Sequence, residues 1–137
     1  MSARLDLTGK VMHPIRLEQG RPTLIETGIA VHFVGPEDLD GSAEKDEAPA
    51  KKYGLLIRDR SSLAAKGIFV SGGVVDAGYR GELKIILNLT IGSYQDLWPG
   101  DKIAQIIPIE VLADTVEVVE TLEESARKEK GFGSTGK

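Results

Sequence analysis

The feature that most constrains this fold is a series of short apolar segments rich in β-branched residues and separated by glycine-bearing turns. They run over residues 24–33, 82–89, 103–111 and 115–119. These segments combine β-forming side chains with partial two-residue alternation, which favours strands, and Pro108 is typical of an edge strand or a β-bulge. Because no helical pattern stands between them, they predict an all-β sandwich or barrel with little helix.

Length and composition divide the chain into one domain and a tail. At 137 residues the chain is long enough for a single core. The charged, alanine-containing stretch at residues 36–52 predicts a solvated loop insertion. Residues 120–137 are first charged and then glycine-rich, which predicts a mobile arm. We therefore expect a single β domain over residues 1–119 and a separate arm over residues 120–137.

Composition also excludes several classes of function. The chain has no cysteine, so a thiolate metal site or thiol nucleophile is ruled out, and its two histidines, His13 and His32, are too far apart to suggest zinc. With 17 basic and 21 acidic residues the net charge is −4, which argues against a nucleic-acid partner. No stretch approaches the roughly 20 apolar residues of a membrane span, and no apolar signal region follows Met1, so a cytoplasmic location without a membrane partner is expected.

The C-terminal residues 131–136 have the composition of a phosphate-binding segment. Glycines let backbone N–H groups turn toward an anion, Ser134 and Thr135 add donors, and Arg127 upstream offers a guanidinium to phosphate oxygens. The structural alternative is a disordered glycine-rich tail. The Walker A spacing is absent.

Two further segments carry polar groups suited to an active site. Arg60 stands beside Ser61 and Ser62 at the start of a predicted helical turn that ends at Gly67, where either anion binding or simple capping by Ser61 is possible. Residues 72–81 read as a glycine-rich hairpin that contains Asp76, either a general base or an ordinary turn residue.

The order of these segments is more specific than any one of them. Together they resemble the five ordered motifs of the dUTPase family over essentially the whole chain. The matching segments are Asp6 within residues 2–7, residues 60–64, 75–81 and 100–105, and Arg127 with residues 131–136.

The resemblance implies a fold and an activity. The fold would be the distorted β-barrel or jelly roll of that family, with one short helical turn, assembled as a homotrimer. The activity would be hydrolysis of dUTP to dUMP and pyrophosphate with Mg²⁺. Each site would take its first, second and fourth motifs from one chain, the third from another, and the fifth, on the C-terminal arm, from the last.

The resemblance also assigns roles to the matching residues. Asp76 would activate the water that attacks the α-phosphorus, and Asp6 would bind magnesium through water. The substrate-binding residues would be Arg60, Ser61, Ser62 and Gln105 near the phosphates, Gly73, Val75 and Tyr79 around uracil and deoxyribose, and Arg127, Phe132, Gly133, Ser134 and Thr135 on the arm. Asp59 departs from the family pattern, which usually has proline there.

Two alternatives belong to other functional classes. A dCTP deaminase, or a bifunctional deaminase and diphosphatase, would share the trimeric fold. Its catalytic glutamate should lie ten residues after Asp76, where this chain has Ile86, which cannot relay protons. A non-catalytic dUTP-binding regulatory module is the second alternative, although all the polar groups proposed for catalysis are present.

Overall fold

A computed structural model describes residues 5–33, 52–76, 78–111 and 118–121 of the chain. Nine strands and one four-residue helix form the regular structure of these residues. The strands are β1 (Leu5–Thr8), β2 (Ile15–Glu18), β3 (Thr23–Glu26), β4 (Lys52–Arg58), β5 (Ile68–Ser71), β6 (Val74–Val75), β7 (Lys84–Leu89), β8 (Tyr94–Leu97) and β9 (Lys102–Val111), and the helix is α1 (Ser61–Ala64). The prediction of an all-β fold with one short helical turn is confirmed.

The strands form three antiparallel sheets. One sheet has the order β1-β9-β4-β6, another pairs β2 with β8, and the third has the order β3-β7-β5. Strands β4 and β9 pair over their full described overlap, from Lys52 opposite Val111 to Arg58 opposite Gln105. This long pair forms the centre of the first sheet and carries β1 on one side and β6 on the other.

The core lies where the inward faces of these sheets meet. Strand β7 shows the required alternation, because Ile85, Leu87 and Leu89 are buried while the residues between them are more exposed. The buried residues that pack into one cluster are Leu7, Leu17, Ile25, Ile57, Ile68, Ile85, Leu87, Leu89, Leu97, Ile103, Ala104 and Ile106. All of them are aliphatic, so the described core is built by shape and area rather than by aromatic rings.

Strand β9 departs from regular pairing near its start. Leu7 is opposite Ala104, but the next residue of β1, Thr8, is opposite Lys102, so Ile103 is an extra residue on β9. The predicted irregularity therefore lies at Ile103 and not at Pro108. Pro108 pairs with β4 beyond the last described β1 partner, in a part of β9 that has a described neighbour on one side only, as expected of an edge position.

Two predicted strands differ from the structure. Strand β3 ends at Glu26, so the prediction of a strand over residues 24–33 was too long. After β3, the Thr27 hydroxyl donates to the Leu83 carbonyl at 2.7 Å and Gly28 has a φ of 71°, a conformation that favours glycine. Of the strand predicted over residues 115–119, only residues 118 and 119 are described, and they lie outside any strand.

Several predicted segments fall outside the described residues. They include residues 34–51, which hold nearly all of the predicted insertion, and residues 122–137, which hold nearly all of the predicted arm. Among the described residues, no helix has the length and apolar character needed to cross a membrane.

Candidate active site

A glycine-rich cleft of about 240 Å³ opens beside the connection between β5 and β7. Those two strands pair as a hairpin, with Ser71 opposite Ile86. Their connection, residues 72–83, does not turn directly but carries β6 across to the first sheet, where Val75 pairs with Leu55. The residues that line the cleft are Ile57, Gly72, Val74, Val75, Asp76, Tyr79, Glu82, Leu83 and Lys84.

Gly73 lets the backbone of this connection approach β4 closely. The Ile57 N–H donates to the Gly73 carbonyl at 2.6 Å. A Cβ atom at position 73 would lie 2.1 Å from the Ile57 carbonyl oxygen, so only glycine fits without a backbone shift. The neighbouring Gly72 has a φ of 62°, in the left-handed region. The backbone beside the cleft is therefore constrained at two adjacent glycines, by the close approach at Gly73 and by the positive φ at Gly72.

Asp76 and Tyr79 stand at the mouth of the cleft. The Tyr79 N–H donates to the Asp76 carbonyl at 3.0 Å, which forms a turn, and the Tyr79 hydroxyl donates to the Glu82 carbonyl at 3.0 Å. Asp76 is exposed and makes no ion pair with another described residue. A carboxylate without an ion-pair partner at the edge of a pocket can accept a proton from water.

A second group, the charged cluster, consists of Asp6, Arg60, Lys102 and Gln105. Arg60 Nη1 donates to Asp6 Oδ1, and Lys102 Nζ lies 3.2 Å from Asp6 Oδ2. Asp6 and Gln105 are directly opposite each other on β1 and β9. The side chains of Asp6 and Arg60 are 32% and 25% exposed, so this pair is only partly screened by water.

Gln105 is oriented by a main-chain partner. Its Nε2 donates to the Asp59 carbonyl at 2.9 Å, and because a carbonyl can only accept, this contact fixes which end of the amide is which. Asp59, which departs from the motif pattern, therefore contributes its carbonyl to the cluster. The amide oxygen of Gln105 is left as an acceptor without a donor among the described residues.

The helical turn beside the cluster forms without a side-chain cap. Arg60 is the N-cap residue, and its carbonyl accepts from the N–H groups of Leu63 and Ala64 at 3.0 and 2.9 Å. The interpretation of Ser61 as a capping residue was wrong, because Ser61 lies inside the helix. Ser61 and Ser62 are both exposed, and the turn ends at Gly67, with a φ of 76°, as the sequence predicted.

The cleft and the charged cluster lie apart within one chain. Val75 pairs with Leu55 on one side of β4, whereas Gln105 pairs with Arg58 on its other side. These positions are three residues apart, about 10 Å along the strand, and their strands are separated by two strand spacings, about 9 to 10 Å. The chain thus brings Asp6, Arg60 and Gln105 together, but it does not bring Asp76 to them.

Several sequence expectations are placed differently by the structure or not at all. His13 and His32 are both exposed, and among the described residues no three His, Cys, Asp or Glu side chains converge to hold a metal ion directly. Arg127, Phe132, Gly133, Ser134 and Thr135 lie outside the described residues. Ile86 is half-buried on β7 between Leu24 and Ser71, so that position presents no carboxylate.

Sequence reasoning missed Lys102. The residue lies within the matched segment at 100–105, but nothing in that segment assigned it a contact with Asp6. The sequence does contain a sign of the β-bulge that places Lys102. Ile103 and Ala104 are consecutive apolar residues, whereas strict alternation along a strand would require one of the two to face solvent.

Comparisons with known proteins agree with this architecture. The sequence model of the dUTPase family matches residues 46–136. A deoxyuridine 5'-triphosphate nucleotidohydrolase from Rickettsia bellii (strain OSU 85-389) is 41% identical over 139 residues, which cover 98% of this chain and 81% of that protein.

Solved structures show the same likeness. The dUTPase of Staphylococcus bacteriophage 80alpha, solved with dUpNHpp, has a TM-score of 0.74 and 26% identity and covers 98% of this chain and 86% of its own. A mutant dUTPase from phage phi11 of S. aureus, solved with a structural Mg(II) ion, has a TM-score of 0.65 and 23% identity and covers 90% of this chain and 86% of its own. The likeness therefore extends over nearly the whole chain.

Proposed function

Since the chain belongs to the dUTPase family, we propose that it hydrolyses dUTP to dUMP and pyrophosphate with Mg²⁺, in a homotrimer whose active sites are shared between subunits. The observation that carries the shared-site proposal is the separation of the glycine-rich cleft from the charged cluster on opposite sides of β4. A nucleotide has a base at one end and phosphates at the other, and a cleft from one chain beside a cluster from the next would hold both ends.

The glycine-rich cleft suits the nucleoside end of the substrate. Main-chain groups at Gly73 and Val75 would read the hydrogen-bonding edge of uracil, because the steric limit at Gly73 fixes the backbone there. Tyr79 would pack under the deoxyribose, where its ring, held through its hydroxyl by the Glu82 carbonyl, disfavours a 2′-hydroxyl. Selection for deoxyuridine would then come mainly from a rigid shape.

The charged cluster suits the phosphate end. Arg60 offers a guanidinium, and the exposed hydroxyls of Ser61 and Ser62 stand directly after it on α1. Asp6 and the amide oxygen of Gln105 are acceptors for waters of a hydrated metal, which fits a magnesium ion held through water, since Mg²⁺ keeps several of its waters. When bound, that ion offsets the charge that develops on the phosphate oxygens.

Asp76 would act as the general base. It would accept a proton from a water molecule while the water oxygen forms a bond to the α-phosphorus. The bond between that phosphorus and the bridging oxygen would break in line, and pyrophosphate would leave. For this reaction Asp76 must face the phosphates held by a neighbouring chain. Stabilisation of the developing charge within a closed site would supply most of the rate acceleration.

The remaining parts of the proposal rest on the sequence resemblance. Residues 1–119 would form the β domain and residues 120–137 an arm that completes a neighbouring site. Phe132 and Gly133 would cover uracil, and Arg127, Ser134 and Thr135 would approach the γ-phosphate, which excludes water when the arm closes. A cytoplasmic location, with dUTP and the chain itself as the only partners, completes this proposal.

The activity is tested by pyrophosphate release from dUTP, dCTP, dTTP and UTP, with and without Mg²⁺. Release from dUTP alone, dependent on the metal, is expected. Conversion of dCTP to dUTP would favour the deaminase instead, but Ile86 gives no support for that reaction. Tight dUTP binding without turnover would favour the regulatory module.

The shared site is tested by mixing two inactive chains. Arg60→Met and Asp76→Asn should each be nearly inactive, and their co-expression should restore about a quarter of wild-type activity, because that share of cross-chain sites would receive both intact residues in a random trimer. No recovery would mean that both residues serve one site from the same chain. As a control, wild type co-expressed with the double variant should also give about a quarter, against about half for a site within one chain.

A further inference from the structure

We infer that Lys102 is a positioning residue, which keeps Arg60 available to phosphate by occupying one oxygen of Asp6. This inference rests on the proposed function, because it concerns the charged cluster as the triphosphate site. It assigns a task to a side chain that touches neither the reacting atoms nor, by this proposal, the substrate.

The bulge at Ile103 places Lys102 within reach of Asp6. In a regular strand Lys102 would share the inward face with Ala104, which is fully buried. The extra residue reverses that alternation: Ile103 and Ala104 are both buried, and Lys102 emerges on the exposed face with Gln105. Because Asp6 is opposite Gln105, Lys102 becomes its diagonal neighbour across the strand pair.

The carboxylate of Asp6 is divided between two cations. Arg60 Nη1 contacts Oδ1, while Lys102 Nζ lies 3.2 Å from Oδ2. The Lys102 side chain is 60% exposed, so its removal leaves no cavity in the core. Each oxygen of this carboxylate therefore has its own partner.

The pair formed by Arg16 and Asp96 shows the arrangement that arises without a lysine. Arg16 Nε contacts one oxygen of Asp96 at 2.8 Å, and Arg16 Nη2 contacts the other at 2.9 Å. This two-point geometry is the preferred one for arginine and carboxylate, and it directs the guanidinium fork entirely at the acid. By holding Oδ2 of Asp6, Lys102 prevents the same arrangement at Arg60 and leaves N–H groups of that guanidinium free to turn toward phosphate.

The first test is the affinity of Lys102→Met for dUpNHpp with Mg²⁺, measured by calorimetry. Closure of Arg60 onto Asp6 should raise the dissociation constant about tenfold, the scale of one lost charge-assisted hydrogen bond, and should raise KM with kcat changed much less. Lys102→Arg should restore the affinity, since arginine can hold the same oxygen. Arg21→Met, which removes a surface ion pair with Glu18 at 3.5 Å, is the matched control and should leave binding unchanged.

The second test separates positioning from direct contact with phosphate. In an Asp6→Asn background the carboxylate that competes for Arg60 is gone, so adding Lys102→Met should cause little further loss. If the two substitutions instead lower the affinity for dUpNHpp by independent factors that multiply, Lys102 binds phosphate independently of Asp6, and the inference is overturned. A crystal structure of Lys102→Met should show Arg60 bound to both oxygens of Asp6, and an unchanged single contact would likewise overturn it.

The results also distinguish a failure of this inference from a failure of the proposed function. If wild type neither hydrolyses dUTP nor binds dUpNHpp, the proposed function fails and the inference with it. If wild type does both and Lys102→Met matches it, only the inference fails. Should Lys102→Met lower the melting temperature, Lys102→Gln, which retains polarity at this exposed position, replaces it in both tests.

Discussion

The glycine-rich cleft and the charged cluster lie on opposite sides of β4 and are built by different forces. The backbone beside the cleft is fixed by main-chain contact, because Gly73 approaches Ile57 so closely that no side chain fits between them. The cluster is held by side chains, with Asp6 between Arg60 and Lys102. Rigid shape suits selection of a planar base, whereas movable charges suit a flexible phosphate chain. Mutations that disturb the main chain beside the cleft should therefore affect folding and base selection, and those in the cluster should affect affinity.

The largest effect should come from the one exposed acid of the cleft. Asp76→Asn keeps the size of the side chain but removes its basicity, so kcat for dUTP should fall by roughly 10² to 10⁴. Binding of dUpNHpp should change little, because Asp76 makes no ion pair with another described residue. Pyrophosphate release and calorimetry measure the two quantities.

Asp96→Asn is the matched control for that substitution. Asp96 is an acid of the β2-β8 sheet whose partner is Arg16, away from both the cleft and the cluster. Its replacement should leave kcat unchanged. Comparable losses in the two variants would mean that the effect of Asp76→Asn is not specific to the cleft, and full turnover by Asp76→Asn would remove that residue from the mechanism.

A folding effect should distinguish the cleft from the cluster. Gly73→Ala forces a Cβ atom to within 2.1 Å of a main-chain oxygen, so the strand and the connection must separate. The apparent free energy of unfolding should fall by about 2 to 3 kcal/mol, the scale of overpacking. Chemical denaturation at one fixed protein concentration measures it, since an oligomer's stability depends on concentration.

The neighbouring Gly78 supplies the comparison for Gly73. A Cβ atom there would meet nothing within 4 Å, and Gly78 has no positive φ. Gly78→Ala should therefore change stability by less than about 0.5 kcal/mol. If Gly73→Ala were equally harmless, the connection would be able to move, and the proposed rigidity of the backbone beside the cleft would be disproved.

The sequence predicted local features of the chain better than contacts between distant residues. The all-β class, the helical turn that ends at Gly67 and most of the strand predicted over residues 82–89, which begins at Lys84, were visible because periodicity and glycine placement are local properties. Local patterns could not predict the contact between Asp6 and Arg60. It joins residues 54 positions apart, and only the family resemblance suggested that they belong to one site.

The rest depended on register, which no local pattern specifies. A bulge at Ile103 decides whether Lys102 faces the core or Asp6, and a one-residue shift reverses the answer. Residues 72–81 were predicted as a hairpin, and the flanking strands β5 and β7 do pair with each other. The prediction missed β6 within this connection, because the pairing of Val75 with Leu55 belongs to another sheet. Ser61 was misread as a cap because the helix begins at Ser61 itself, one residue earlier than that interpretation requires.

A smaller effect concerns the tyrosine of the cleft. Tyr79→Phe removes the hydroxyl that donates to the Glu82 carbonyl at 3.0 Å. The cost should be about 1 kcal/mol of unfolding free energy, the typical net value of such a bond. If only the ring contacts deoxyribose, kcat/KM for dUTP should change by less than about threefold, which is a free-energy change on roughly the same scale as the lost hydrogen bond. The variant should still prefer dUTP over UTP. If that preference is lost, the Tyr79 hydroxyl and not its ring selects against the 2′-hydroxyl.

The smallest effect should be electrostatic and should leave catalysis untouched. The hydrogen bond and charge of Arg16 lower the pKa of Asp96 from its ordinary value of 3.8. A lowered folded-state pKa stabilises the fold above the unfolded-state value and loses that contribution as pH falls through the folded-state value. Because the Arg16 side chain is exposed and that of Asp96 is partly exposed, solvent screens the pair and the contribution is slight. Arg16→Met should therefore melt slightly below wild type at pH 7, and the gap should narrow below about pH 4.

Part of that gap should persist in acid. The Arg16 guanidinium lies 4.1 Å from the centroid of the Tyr94 ring, and this contact does not depend on the charge of Asp96. The residual difference in melting temperature at low pH therefore measures the stacking, and the pH-dependent part measures the ion pair. A gap that does not vary with pH would remove the ion pair from the stability of this sheet. A change in dUTP hydrolysis by Arg16→Met would show that paired surface charges outside the charged cluster also reach the substrate, and the contrast drawn between Arg16 and Arg60 would then fail.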